Sequence, residues 1–224
     1  MKNERILVVA AHSDDETLGA GGTIARLISE GSEVHCLFLT DGVSSRADAG
    51  PQASASREKS ARKAMGILGV TEFSFLEFPD NMLDSQPLLS VARAVEESVK
   101  EIRPNIVFTH SLADLNVDHV VAARATLVAT RPQDEFAVQE VLSFEVPSSS
   151  EWSFGSEQTF RPNVYYDVSE FLERKMGALH CYGEEIRPSP HARSEEKIRS
   201  LASYRGGAVG VQYAEAFQLL RQIR

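Results

Sequence analysis

The most constraining feature of the chain is an apolar run that ends in a cluster of ionisable side chains. Residues 6–11 are all apolar, and an imidazole and three carboxylates follow within five positions, namely His12, Asp14, Asp15 and Glu16. A short, continuously apolar run indicates a strand that is buried on both faces, as in a parallel sheet. Three carboxylates this close repel one another and are costly to bury, so a bound cation is the simplest compensation.

The segments that follow repeat a strand–helix–strand order. Residues 17–30 have apolar side chains at helical spacing and end before Gly31, and residues 33–40 form a second apolar run. This order predicts a βαβ unit, in which a right-handed crossover joins two parallel strands. Open α/β sheets bind ligands at the carboxyl ends of their strands, which is where the charged cluster lies.

The alternation of strands and helices continues along the chain. We predict strands over 5–11, 33–40, 73–78, 105–110, 140–146 and 163–168, and helices over 17–30, 56–68, 87–102, 118–129, 169–181 and 193–204. This order favours an α/β fold with one doubly wound, mostly parallel, Rossmann-like sheet and helices on both faces. We assign residues 1–224 to a single domain, because no linker, repeat or low-complexity tract interrupts them.

Two polar stretches are expected to border the site and to set its substrate preference. Residues 42–56 leave the same sheet edge as His12, and we interpret them as a rim or lid, with a mobile surface loop as the alternative for their centre. Residues 147–162 contain Trp152, which suits the core, a subunit contact or a sugar-stacking surface. The first two roles are favoured for this tryptophan.

Composition and charge exclude several classes of protein. A net charge of −9 argues against nucleic acid or an anionic membrane as the main partner, since both favour basic surfaces. The two cysteines match neither a disulfide framework nor a Cys-x-x-Cys zinc pattern. No secretory signal and no run of about 18 apolar residues is visible, so we expect a cytoplasmic protein without a membrane segment. C-terminal segments beyond the predicted core are compatible with a homo-oligomer.

Three side chains are candidates for a metal site. His12 and Asp15 lie three positions apart at a turn, and His119 follows the fourth predicted strand at the start of its helix. The carboxyl ends of parallel strands share one edge of a sheet, so these positions can meet in space. Two imidazoles and one carboxylate are a ligand set of catalytic zinc that leaves a position for water. The same set suits iron(II), which keeps the identity of the metal open.

The remaining carboxylates of these segments have other predicted roles. Asp14 is adjacent to a metal ligand and is the candidate general base of a metal-dependent hydrolase. Asp118 precedes His119 and is placed to orient an imidazole. Glu16 is expected to complement the N-terminal dipole of its helix, a surface effect of about 0.3–1 kcal/mol.

Several motifs resemble one family of hydrolases. Residues 11–25, AHSDDETLGAGGTIA, resemble the signature A-H-P-D-D-E-x-L-G-x-G-G-T-I-A of the PIG-L/LmbE family of zinc-dependent N-deacetylases, with Ser13 in place of the proline. Residues 118–119 resemble the end of the family's second motif, H-x-D-H. Residues 40–42, 57–58 and 205–217 also resemble family segments, so the similarity spans most of the chain.

The resemblance implies an activity and a set of site residues. The implied reaction is hydrolysis of an acetamide, usually in N-acetylglucosamine or a conjugate of it, and the implied partner is therefore a small N-acetylated sugar. The implied zinc ligands are His12, Asp15 and His119, with Asp14 as the base that acts on the zinc-bound water. The residues expected near the substrate are Arg57, Asp41 and Asp118.

One position departs from the family pattern. Asn116 stands where the second motif usually begins with a histidine that stabilises the oxyanion. A neutral amide is a weaker donor than a charged imidazole, so either Asn116 serves as a weaker donor or His191 takes the role. The alternatives to a sugar deacetylase are an amidase of a thiol-sugar or other amide conjugate, a non-catalytic relative that binds a metal or ligand, and a redox iron enzyme.

Overall fold

A seven-stranded sheet forms the centre of the described part of the chain. The computed structural model describes residues 4–45, 52–133, 137–155 and 158–224. The strands are β1 (Arg5–Ala10), β2 (Glu33–Thr40), β3 (Glu72–Phe78), β4 (Ile106–His110), β5 (Glu140–Phe144), β6 (Val164–Asp167) and β7 (Ala214–Gln222). The α-helices are α1 (Asp15–Ser29), α2 (Ala53–Leu68), α3 (Leu88–Ile102), α4 (Val117–Ala129), α5 (Leu172–His180) and α6 (Glu195–Gly207), and Leu83–Ser85 is a short 3-10 helix.

The strand order across the sheet is β3-β2-β1-β4-β5-β7-β6. The first five strands in this order pair in parallel, whereas β7 pairs antiparallel with both β5 and β6. The prediction of an α/β fold with a mostly parallel sheet and flanking helices is therefore confirmed. Within the described ranges, no helix combines the length and the apolar character needed to traverse a bilayer.

The sheet is covered on both faces because alternate side chains of its central strands enter two separate cores. In β1, Val8 packs in one core with residues of α1, α2, α5 and α6, whereas Val9 packs in the other with residues of α3 and α4. Both valines are fully buried. This two-sided burial is the physical reason for the uninterrupted apolar run in the sequence.

Strand β7 was not predicted from the sequence. Its first half is buried but contains a charged residue, Glu215, which interrupts the apolar pattern of a core strand. Glu215 is paired with Lys175 of α5 at 2.6 Å between the Nζ and Oε1 atoms. A charge that is neutralised by a distant partner cannot be distinguished in sequence from an exposed one.

Glycines let α1 lie close to the sheet and to the segment after β6. A Cβ atom on Gly22 would stand 2.9 Å from the side chain of Val168, and one on Gly19 would overlap the ring of Phe144. Such contacts are too short for any larger residue without movement of the neighbours. The close packing places the first turn of α1, with its carboxylates, directly over the carboxyl ends of the strands.

Candidate active site

Three ionisable side chains converge at the carboxyl edge of the parallel strands. His12 follows β1, Asp15 begins α1, and His119 lies in the first turn of α4, and all three are buried. Their potential ligand atoms lie within 4.8 Å of one another. Asp15 Oδ2 is 3.0 Å from His12 Nδ1 and 3.2 Å from His119 Nε2. The fold thus brings together the three residues that the sequence predicted as metal ligands.

The donor atoms of this cluster suit a cation. The other oxygen of Asp15, Oδ1, is buried and makes no hydrogen bond to any residue that the structure describes. The ring nitrogens of His119 lie 3.1 and 3.2 Å from carboxylate oxygens but meet none of them in hydrogen-bonding geometry. Two imidazoles and a carboxylate around one point match zinc, and iron(II) accepts the same donors.

A carboxylate from the loop after β4 lies against the outer nitrogen of His119. Asp114 Oδ1 lies 3.1 Å from His119 Nδ1. Asp114 also accepts hydrogen bonds from Ser150 Oγ at 2.6 Å, from the backbone N–H of Asn116 at 2.9 Å, and from Ser149 Oγ. A ligand imidazole is oriented and made more basic by such a carboxylate. Asp114 therefore has the placement of a residue that positions His119.

His12 is held in the same way from its other ring nitrogen. His12 Nε2 lies 3.2 Å from both Asp118 Oδ2 and Asp80 Oδ1. Asp118 is fully buried and accepts the backbone N–H groups of Asn81 and Leu83 at 2.7 and 2.9 Å. This placement fits the predicted role of orienting an imidazole. It differs from the expected contact of Asp118 with substrate, because both of its oxygens already face protein donors.

Asp14 is clamped by two arginines at the pocket wall. Its Oδ1 lies 3.0 Å from Arg57 Nη2 and its Oδ2 lies 3.1 Å from Arg193 Nη1. Glu185 bridges the same two guanidinium groups at 2.7 and 3.2 Å. Burial raises the pKa of the Asp14 carboxyl, and the charge of Arg57 opposes that rise. The clamp thus orients a buried carboxylate beside the Asp15–His119 cluster.

The first turn of α1 is fixed by a buried glutamate rather than by a surface charge. Glu16 is fully buried and accepts hydrogen bonds from Tyr182 Oη at 3.0 Å and Thr17 Oγ1 at 2.5 Å. It also accepts the backbone N–H of Asp14 at 2.9 Å, where the φ angle is +141°. Burial raises the pKa of Glu16 to about 7. The expectation of a surface effect on the helix dipole was therefore wrong.

A polar pocket of about 210 Å³ opens onto these groups. Its lining includes side chains of the predicted site, namely His12, Asp14, Asp15, Arg57, Asn116 and His119, together with Asp80, Asn81, Glu185 and Arg193. Gly42 and Ser45 of the predicted rim also line it, whereas residues 46–51 of that rim lie outside the described residues.

Asn116 caps α4, since its Oδ1 accepts the backbone N–H of Asp118 at 2.8 Å.

Two predicted residues have other roles in the structure. Asp41 Oδ1 accepts the backbone N–H groups of Val43 and Ser44 at 3.1 and 3.0 Å, so Asp41 stabilises the turn after β2 and does not line the pocket. His191 Nδ1 accepts the backbone N–H of Arg193 at 3.0 Å, and its ring packs edge-on against Trp152. The structure therefore does not bring His191 to Asp14. The charged side chain of this segment that contacts Asp14 is Arg193.

The sequence interpretation missed four ionisable residues of the site, namely Asp80, Asp114, Glu185 and Arg193. Asp80 and Asp114 follow β3 and β4, so the rule that located His119 applies to them as well. Glu185 and Arg193 lie after α5 in a segment without regular structure, and no local pattern links them to Asp14.

Asp114→Ala is expected to weaken metal binding and to lower kcat/KM by about 10–100-fold, since His119 would lose the carboxylate that orients it. Competition with a chelator measures the affinity independently of activity. The matched control is Asp84→Ala, which removes an exposed aspartate outside the pocket lining. Equal metal affinity in the two variants would contradict a positioning role for Asp114.

Comparisons with known proteins identify relatives that are named deacetylases. The sequence model of the PIG-L family, described as GlcNAc-PI de-N-acetylase, matches residues 7–130. An uncharacterized deacetylase of Escherichia coli K12, YaiS, is 30% identical over 184 residues, which cover 80% of this chain and 90% of that protein. A diacetylchitobiose deacetylase of Thermococcus kodakarensis is 26% identical and covers 97% of this chain and 83% of its own length.

A solved structure extends the similarity to the fold. The conserved protein TT1542 from Thermus thermophilus has a TM-score of 0.79 at 27% identity, with 99% of this chain and 96% of that chain covered. The family match spans more than half of the chain and contains the converging residues His12, Asp15 and His119. The chain therefore belongs to the PIG-L family of deacetylases.

Proposed function

We propose that this deacetylase hydrolyses the acetamide of a small N-acetylated amino sugar or sugar conjugate, releasing acetate and the free amine. The observation that carries the proposal is the convergence of His12, Asp15 and His119 beside a clamped carboxylate, Asp14, in a polar pocket. The diacetylated disaccharide named for the Thermococcus relative supports a sugar as the substrate class.

We propose zinc as the metal, held by His12, Asp15 and His119. When bound, zinc polarises a carbonyl and lowers the pKa of a coordinated water toward about 7. Asp15 Oδ1 and His119 Nε2, which make no hydrogen bond to any residue that the structure describes, are the ligand atoms available to such an ion. Asp114 and Asp118 keep the two imidazoles oriented through their outer nitrogens.

Asp14 acts as the general base in this proposal and takes a proton from the attacking water. Its carboxylate lies next to the Asp15 ligand and is oriented by Arg57 and Arg193, so little reorganisation is needed. A positioned acid or base of this kind contributes about 10²–10⁴-fold to a rate. In this proposal, the protonated Asp14 then donates that proton to the leaving amine.

The arginines of the clamp are the proposed charged donors to the oxyanion. Arg57 and Arg193 both line the pocket, and each carries a permanent positive charge beside Asp14. Asn116 also lines it, but its Nδ2 donates to Asn81 Oδ1 at 3.4 Å, and an amide is a weaker donor than a guanidinium. We therefore propose Arg193 for the role that the sequence interpretation gave to His191.

Metal analysis and acetate release test the proposal together. We expect about one zinc ion per chain, by the ligand count of a catalytic site. Acetate should be released from N-acetylglucosamine or diacetylchitobiose and not from N-acetylated amino acids. Amine release without acetate would instead identify an amidase of another conjugate. Protein that binds no metal and releases neither product would exclude a catalytic role for this site.

A further inference from the structure

A second cavity lies beside the catalytic pocket. Its volume is about 650 Å³, and its lining comes from residues 145–152 and 188–201. We name it the Trp152 groove, defined by Pro147, Trp152, Pro188, Pro190, His191 and Leu201. Trp152 is 38% exposed, so part of its ring faces the open groove. The catalytic residues described above use none of this surface.

One residue joins the groove to the catalytic pocket. The guanidinium of Arg193 contacts Asp14 in the pocket, and its Nε donates to Pro147 O at 3.1 Å and Ser148 Oγ at 2.7 Å on the other side. The backbone N–H of Arg193 donates to His191 Nδ1, and His191 packs against Trp152. Arg193 therefore lies between the two cavities, and its side chain contacts lining residues of both, Asp14 in the pocket and Pro147 in the groove.

The lining of the groove suits the face of a sugar ring. Trp152 and the prolines present flat apolar surfaces, which complement the C–H face of a pyranose. Glu151 and Lys197 line the same cavity and bring charged groups of both signs to it, whereas Glu145 in the same lining is paired with Arg205. An apolar floor with a few polar groups is the usual composition of a small-ligand site. The edge-on packing of His191, at 5.5 Å between ring centroids, holds the indole in place.

We propose that the Trp152 groove binds the second sugar ring of a substrate whose acetamido ring occupies the catalytic pocket. The inference rests on the proposed function, and it makes Trp152 a specificity-determining residue. The groove then selects for length: a disaccharide contacts both cavities, whereas a monosaccharide contacts only the pocket. A surface for a second copy of the chain is the competing occupant.

Trp152 is the only tryptophan of the chain, so its fluorescence reports directly on the groove. Titration of the zinc-loaded protein with diacetylchitobiose is expected to shift or quench the emission, and N-acetylglucosamine at the same occupancy is expected to leave it nearly unchanged. This readout does not depend on turnover. An emission that saturating disaccharide leaves unaltered would overturn the proposal even if the protein proved to be an active deacetylase.

Kinetics of Trp152→Ala give the second test. We expect a roughly 10-fold higher KM for diacetylchitobiose with kcat nearly unchanged, and no change for N-acetylglucosamine, because only the longer substrate loses an aromatic contact. The matched control is Phe154→Ala, which removes an aromatic ring of the same segment that is 85% exposed and lies outside the groove.

The outcomes separate this inference from the proposed function. If Trp152→Ala has the same KM as the parent protein for each of the two substrates, the groove assignment is overturned. It is also overturned if sedimentation shows that Trp152→Ala loses an oligomer while its KM does not change. Protein that releases no acetate from either sugar would refute the proposed function. In that case, calorimetry with diacetylchitobiose still decides the groove: binding that weakens in Trp152→Ala but not in Phe154→Ala supports it, and equal binding overturns it.

Discussion

Asp14→Asn is expected to lower kcat by about 10²–10⁴-fold while the protein keeps its fold and its metal content. The amide cannot accept a proton from water, so the variant loses the proposed base. The proposed metal ligands His12, Asp15 and His119 are unchanged, and Glu185 still bridges the two arginines of the clamp. Steady-state kinetics and metal analysis of the same preparation measure both effects.

The choice of asparagine follows from the backbone. Asp14 has a φ angle of +141°, which L side chains rarely adopt, and asparagine keeps the size and branching of the aspartate side chain at this position. The isosteric amide therefore removes the charge with little added strain. Asp84→Asn, at an exposed position outside the pocket lining, is the matched control and should retain the parent activity. Activity of Asp14→Asn within about threefold of the control would exclude Asp14 as the base, since a positioned base contributes far more than that.

Lys175→Met is expected to destabilise the protein by about 3–5 kcal/mol, which is the cost of leaving a buried charge without its partner. Lys175 and Glu215 are 4% and 5% exposed, and their charged atoms lie 2.6 Å apart. Glu215 also accepts the backbone N–H groups of Gly22 and Thr23, and Lys175 donates to Leu18 O. The pair thus ties α5 and β7 to the middle of the helix that begins with Asp15. Urea denaturation measures the loss.

A second substitution distinguishes the lost ion pair from lost packing. Lys175→Met/Glu215→Gln should recover a large part of the stability, because glutamine removes the unpaired charge and its carbonyl can still accept a backbone N–H. Lys63→Met replaces an exposed lysine of α2 and should stay within about 0.5 kcal/mol of the parent protein. A double variant as unstable as Lys175→Met alone would show that the charge is not the cause.

Much of the parallel part of the fold was predictable because it is encoded locally. The run of residues 6–11 is apolar at every position, since both faces of β1 are buried, and the helix after it has its own spacing and its own terminal glycine. Strand β7 has no such signal, because Glu215 enters the core only with a partner that is 40 positions away along the chain. Its antiparallel pairing with β5 and β6 depends on that long-range contact.

The sequence by itself determined the chemical character of this protein: His12, Asp14 and Asp15 follow a buried strand, and the rule that parallel strands end at one edge predicts that His119 meets them. Only the tertiary structure decided which groups surround them. Asp114 rather than solvent meets His119, Arg193 rather than His191 reaches Asp14, and the Trp152 groove adjoins the pocket. The physical reason is the distance along the chain over which each position is determined. The end of a strand is positioned by the strands that it pairs with. A loop side chain is positioned by the charged group that it pairs with, which can come from anywhere in the sequence.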